Sequence, residues 1–290
     1  MSKYCKVIIN DVTLRDGLQS FSRVICHNDR INIGKKIISL GIKNLEVGSI
    51  VSKKVIPQMI NGIKVHNGMK KFKNYNYSML ISNLKGIDIS MKNDVKNIAF
   101  FTSPSNTFNL KNINKDVKSS FEIINKLKSN ITNGAYTKGY LSCIGECPFE
   151  GKLKIDNILD SINEFKNINV DEICLSDTLG TLNSSYLKVI LDNLNYEDKN
   201  KLSIHLHQKK NDNEWKNIVK LCLDNNINKF DTSLLNLGGC PAAYSSKDKS
   251  GNLNLYDLLN YLDDNGYSHD INKNKILEVE KDILTILNKK

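Results

Sequence analysis

The sequence predicts an α/β protein: a (β/α)8 barrel of the TIM type with a short C-terminal helical extension. Three observations predict it. Eight short β-rich segments recur within 290 residues, amphipathic stretches separate them, and no glycine-rich phosphate loop follows the first strand. A doubly wound open sheet would often carry such a loop, and Asp16-Gly17 fits neither GxGxxG nor GxxxxGK[ST].

The strands are expected near Val7–Thr13, Asn44–Gly48, Tyr75–Ile81, Asn97–Phe101, Thr137–Cys143, Glu172–Leu175, Leu202–His207 and Lys229–Thr232. Each is a short apolar run rich in β-branched or aromatic residues. Helical spacing marks Asp29–Leu40, where Ile31, Ile33, Ile37, Ile38 and Leu40 recur and Gly41 supplies a stop. Asp116–Ser129, Ile155–Lys166, Ser184–Asn195 and Asn213–Asn225 are similar. The helices from about Leu255 onward read as the closing part of the same unit, so residues 1–290 are expected to form one domain.

Composition narrows the class. Hydrophobic content of 40% and charged content of 25% are ordinary for a soluble globular chain. No apolar run approaches the roughly 20 residues that span a bilayer, so no membrane association is expected. The opening residues leave no room for a signal or transit peptide before the first strand. Seven scattered cysteines without a CxxC pair suggest a reducing, cytoplasmic setting. The net charge of +10 comes from lysines spread along the whole chain rather than from a stripe, which argues against nucleic acid. A positive field of that kind suits an anionic small substrate.

His205-Leu206-His207 carries the chemistry. Side chains two apart on a strand share a face, so the two imidazoles point the same way and make half of a metal site. Residues at the C-terminal ends of barrel strands, and in the loops that follow, form the active sites of such barrels. Thr13-Leu-Arg-Asp-Gly17 ends strand one, the His-x-His pair ends strand seven, and Leu237-Gly-Gly-Cys-Pro241 and Ser250-Gly-Asn252 follow strand eight. Closure sets strand eight beside strands one and seven, so Asp16, His205, His207 and Asn252 can converge as metal ligands. Two imidazoles, a carboxylate and an amide oxygen favour Mg²⁺ or Mn²⁺, with Zn²⁺ second. Glu46, at the end of strand two, Asp177, at the end of strand six, and Arg15, beside Asp16, fall on the same rim. Taken singly, Asp177 reads as a helix cap, Glu46 as a lysine partner and Cys240 as an inert thiol.

Leu14-Arg-Asp-Gly-Leu-Gln19, Leu45-Glu-Val-Gly-Ser-Ile-Val-Ser52, Pro57-Gln-Met59, Cys147-Pro-Phe-Glu-Gly151, Asp177-Thr178, His205-Leu-His207, Gly238-Gly-Cys-Pro241 and Gly251-Asn252 occur in order along nearly the whole chain. Together they resemble the 3-hydroxy-3-methylglutaryl-CoA lyase family of barrel metallolyases. The resemblance implies Asp16, His205, His207 and Asn252 as metal ligands and Cys240 as the catalytic cysteine of a mobile loop. It implies Arg15, Glu46 and Asp177 as polar catalytic groups. The proton acceptor is left open among Asp16, His205 and a water molecule. It implies an acyl-CoA substrate cleaved to acetyl-CoA and acetoacetate, and a homodimer. A synthase condensing acetyl-CoA with a 2-oxo acid, an aldolase, and a barrel that binds without turnover are the other readings. The chain departs from the family at Ser20-Phe-Ser22 and at Gln208-Lys-Lys-Asn211. The second departure removes a carboxylate from behind the histidine pair, a position that typically matters about 10–100-fold for metal affinity.

Overall fold

The computed structural model describes residues 6–51, 55–239 and 250–288. Strands β1 (Ile8–Asp11), β2 (Asn44–Ile50), β3 (Asn76–Ile81), β4 (Asn97–Thr102), β5 (Tyr136–Leu141), β6 (Glu172–Ser176) and β7 (Leu202–His205) run parallel and pair in sequence order. After the two-residue strand β8 (His207–Gln208), strand β9 (Lys229–Thr232) pairs with both β7 and β1 and closes the barrel. All eight strands expected from the sequence are there.

Alternation along the strands divides the apolar residues into two sets. In β4, Ile98 and Phe100 join the large core between the sheet and the helices. Their neighbours Ala99 and Phe101 pack with Leu80, Tyr140 and Cys174 in a second, smaller cluster. Other buried positions on the strands are polar, among them Glu46, Lys138, His205 and Asp231, and they build the site.

The expected helices appear as α1 (His27–Ser39), α5 (Val117–Ser129), α6 (Ile155–Asn167), α7 (Ser184–Asp192) and α9 (Glu214–Asp224). Helices α2 (Gly62–Met69), α3 (Leu84–Lys92) and α4 (Asn106–Ile113) complete the outer layer. They are eight or nine residues long, too short for a periodic apolar face to stand out in the sequence. The stretch read as one helix to Asn195 ends instead at Asp192, and a short α8 (Tyr196–Asn200) starts after an Asn195 cap. Asn83, Asp116, Asn183 and Asn254 each accept a backbone N–H at a helix start, worth about 1 kcal/mol apiece. The C-terminal extension consists of α10 (Leu255–Asp264) and α11 (Ile276–Leu287). Helix α11 lies against α1, where Lys36 pairs with Asp282 at 2.5 Å.

Among the strand ends that differ from the expectation, β2 runs on to Ile50, which puts Glu46 inside the strand rather than at its end, and two others shape the site. Strand β1 stops at Asp11, because the Asp11 carboxylate accepts from the Thr13 backbone N–H (3.0 Å) and the Thr13 hydroxyl (2.9 Å). Thr13–Gly17 then forms a single π-helical turn, a form often found at functional sites. Strand β7 stops at His205. His207 leaves the barrel and pairs antiparallel with Asn252 on β10 (Gly251–Asn252).

Candidate metal centre

Asp16, His205 and His207 each offer a ligand atom, and the three atoms lie within 4.8 Å of one another. The π-turn carries Asp16, the end of β7 carries His205, and the β8–β10 ladder carries His207. Nε2 of His205 and Nε2 of His207 are 3.3 Å apart, and His207 Nε2 is 3.9 Å from Asp16 Oδ2.

The other ring nitrogens decide what this approach means. Nδ1 of His207 lies 2.8 Å from the Thr178 carbonyl, which can only accept, so Nδ1 carries the proton. Nδ1 of His205 lies 3.2 Å from Asp231 Oδ2, an ionised carboxylate that also accepts. In the neutral form of each ring, Nε2 then presents a bare lone pair toward the other ring and Asp16 Oδ2. A cation between them would satisfy all three lone-pair donors at once.

Asn252, paired with His207 across the β8–β10 ladder, lies beside them. It is 1% exposed, and its amide oxygen and nitrogen both lack a hydrogen-bond partner. Asp16 Oδ2 is buried and unpartnered as well. Orphaned polar atoms of this kind cost about 1–3 kcal/mol each unless something binds them. Gly238 separates the two: a Cβ there would fall 2.3 Å from Asn252 Nδ2 and 3.0 Å from Asp16 Oδ2. Donors about 2.1 Å from one ion lie roughly 3 Å apart when adjacent and 4.2 Å apart when opposite. The 3.3 Å and 3.9 Å separations fall within that range. The four groups fit a divalent cation.

Arg15 borders the cluster. Its Nη1 donates to Asp16 Oδ1 at 2.5 Å, which leaves Oδ2 for the centre. Its Nε and Nη2 lie 2.9 and 2.8 Å from Glu46 Oε2, and Glu46 is 0% exposed. Burial alone would lower the Arg15 guanidinium; Glu46 and then Asp16 outweigh it and hold the charge firmly. Burial would likewise raise Asp16, but Arg15 and then the two histidines hold its carboxyl well below the usual range. Glu46 thus pairs with Arg15 rather than with a lysine.

Asp177 follows β6 but does not join the cluster. Its two oxygens accept from the backbone N–H groups of Thr181 (3.1 Å) and Leu182 (3.0 Å). The carboxylate therefore shapes the loop before α7, whose own cap is Asn183. The same loop delivers the Thr178 carbonyl to His207. Cys240 lies outside the described residues. Arg23, next to the Ser20-Phe-Ser22 departure, donates to the carbonyls of Ile286 and Leu287 at the end of α11.

Sequence reasoning missed three interior residues. Asp231 on β9 takes Lys138 Nζ at 2.7 Å, the Tyr140 hydroxyl at 2.8 Å and Asn10 Nδ2 at 2.9 Å, besides His205. The Tyr140 hydroxyl is also 3.0 Å from Glu46 Oε2, so this tyrosine joins the two carboxylates across the barrel. A lysine and a tyrosine two apart in the buried strand Tyr136-Thr-Lys-Gly-Tyr-Leu141 were the available signal, since alternation puts both on the inner face. Gln208, at the second departure, bridges two elements. Its Oε1 accepts the Asn254 N–H (3.1 Å), and its Nε2 donates to Asp257 (3.0 Å). It thereby ties the β8–β10 ladder to the start of α10.

A closed parallel barrel with a four-donor polar centre and a buried arginine at its C-terminal mouth defines a class, the (β/α)8 barrel enzymes with a candidate metal site. Within that class, residues 6–283 match the family model described as HMGL-like, and the chain belongs to this family. It is 31% identical over 287 residues to the mitochondrial hydroxymethylglutaryl-CoA lyase of Homo sapiens, covering 98% of this chain and 87% of that protein. It is 29% identical over 286 residues to the 3-hydroxy-3-isohexenylglutaryl-CoA/hydroxy-methylglutaryl-CoA lyase of Pseudomonas aeruginosa, covering 98% and 94%. Among solved structures it resembles an Acinetobacter HMG-CoA lyase in complex with coenzyme A and 3-methylmalate. That likeness has a TM-score of 0.88 and 26% identity, and covers 97% of this chain and 91% of the other. No described helix is long and apolar enough to cross a membrane.

Proposed function

We propose that this protein is a divalent-metal-dependent carbon–carbon lyase that cleaves 3-hydroxy-3-methylglutaryl-CoA, or a close 3-hydroxyacyl-CoA, releasing acetyl-CoA; the parent substrate also yields acetoacetate. The observation that carries this reading is the convergence of bare lone pairs from His205, His207 and Asp16 beside unpartnered Asn252, in a chain of this family. Mg²⁺ or Mn²⁺ is preferred over Zn²⁺, because no cysteine thiolate is among the four donors. Such a cation would supply Lewis acidity toward the hydroxyl and carboxylate oxygens of the substrate.

The protein's own residues do the rest. Arg15 is fixed by Glu46 and Asp16, and it offers preorganised positive charge to the enolate oxygen that forms as the C–C bond breaks. It needs no reorganisation to do so, because both ion pairs already hold it. Glu46 acts through Arg15 and Tyr140. Asp177 acts through its loop, which keeps the Thr178 carbonyl on His207. Cys240, on the resemblance, returns a proton to the enolate carbon. A homodimer in the cytoplasm completes the reading.

The direct test presents a panel of 3-hydroxy-3-alkylglutaryl-CoA thioesters to the purified protein with Mn²⁺ and follows acetyl-CoA by mass spectrometry. Release from the methyl compound supports the reading. Release only from bulkier members keeps the lyase and changes its acyl group. No release from any member removes the proposal.

A further inference from the structure

We propose that Asp231 is the positioning residue of the centre: it fixes the tautomer and the angle of the His205 ring, and Lys138 fixes Asp231. This inference rests on the metal reading of Asp16, His205, His207 and Asn252.

The two histidines are held differently. His207 is oriented by a backbone carbonyl, Thr178 O, rather than by a side chain. His205 depends on a side chain. Asp231 is 1% exposed and faces the ring with Oδ2 at 3.2 Å from Nδ1. The carboxylate is held in turn from three sides. Lys138 and Asn10 donate to Oδ1, and the Tyr140 hydroxyl donates to Oδ2. Lys138 also pairs with Glu172 at 3.1 Å, and Glu172 accepts from Ser203 (2.7 Å) and Tyr136 (3.0 Å). The orientation of one candidate ligand is therefore built into an ion-paired column that runs down the barrel interior from β9 through β5 to β6. The carboxylate missing after His207 does not leave the centre unsupported. Support comes from beside His205, on the neighbouring strand β9.

An imidazole that donates Nδ1–H to an acceptor keeps Nε2 bare for an ion, and such partners typically matter about 10–100-fold in metal affinity. An asparagine at position 231 can turn its amide nitrogen toward Nδ1 and favour the tautomer with the proton on Nε2, the wrong nitrogen.

The test uses Asp231→Asn in the full chain, with two readouts. Calorimetric titration with Mn²⁺ should show affinity reduced about 10–100-fold. Nitrogen-15 spectra of the metal-free protein should show the His205 proton leaving Nδ1, while the His207 proton stays on Nδ1 against Thr178 O. Because Asp231→Asn strands Lys138 beside a neutral group, the double variant Lys138→Met/Asp231→Asn removes the pair together and is measured alongside. The same loss of affinity in a folded double variant supports the inference. Wild-type affinity and an unchanged His205 tautomer in either folded variant overturn it. If the wild-type protein itself binds no Mn²⁺, the metal reading fails, which the wild-type titration shows separately.

Discussion

Replacing Gly238 by alanine tests the centre with a single methyl group. Gly238 has φ +110°, and a Cβ there would meet Asn252 Nδ2 at 2.3 Å, Asn252 Cγ at 2.8 Å and Asp16 Oδ2 at 3.0 Å. Ordinary contacts of a methyl carbon begin near about 3.5 Å, so the Asn252 amide must retreat by about 1 Å. Asp16 must give by about half that. A misplacement of about 1 Å typically costs on the order of 100-fold in a positioned site. Gly238→Ala should therefore weaken Mn²⁺ binding about 100-fold, roughly 2.7 kcal/mol. The backbone conformation adds a strain of about 1–3 kcal/mol to folding. Gly134→Ala separates the two effects. Gly134 also has a positive φ (+66°), but nothing lies within 4 Å of its Cβ position. It should lose about 1 kcal/mol of stability and no metal affinity. The assay is calorimetric titration of both variants, with thermal melts to confirm folding. A folded Gly238→Ala protein with wild-type Mn²⁺ affinity would refute the placement of Asp16 and Asn252 about one ion.

Other predictions concern individual donors and their support. His207→Ala removes one of three converging lone pairs and should weaken Mn²⁺ binding by at least tenfold; unchanged affinity by calorimetry sinks the ligand assignment. Glu46→Gln leaves the buried Arg15 with Asp16 alone, which should cost about 3 kcal/mol in urea unfolding; wild-type stability would show that the pair contributes little. Acid should release the cation. Burial lowers His207, but the Asp16 carboxylate outweighs it and sets the ring above the ordinary histidine value. Because the shift is upward, proton competition starts above the usual range of about 6.5, and Mn²⁺ affinity should already be falling there. In the cation-free protein the sign reverses. The raised folded value stabilises the fold below the unfolded value, and this contribution fades as pH rises through the folded one. Melts with and without Mn²⁺ between roughly pH 5.5 and 8.5 would show opposite trends; parallel trends would contradict the assignment.

The barrel was legible because each strand announces itself locally, by β-branched runs between amphipathic stretches. The His-x-His spacing and the Arg-Asp-Gly turn were legible for the same reason. Strand ends were less so. Asp11 turning the chain through Thr13 and His207 exchanging the barrel for Asn252 both depend on partners the local pattern does not name. Asp231, Lys138 and Tyr140 stayed hidden because they meet across the barrel interior, with Asp231 91 residues from Tyr140 and 93 from Lys138 in sequence. Only closure brings them together. The Gln208 departure looked like a loss behind the histidines. In the fold it clamps the ladder that carries one of them, while the carboxylate behind the other comes from β9.

The centre at the barrel mouth stands or falls as the site of a metal-dependent carbon–carbon cleavage. Its most direct test follows acetoacetate from 3-hydroxy-3-methylglutaryl-CoA with the wild-type protein, first with Mn²⁺, then after EDTA, then after Mn²⁺ is restored. The expected result is acetoacetate and acetyl-CoA in equal amounts, lost with the chelator and regained with the metal. Product formation that ignores the chelator, or no product under any of the three conditions, would contradict it.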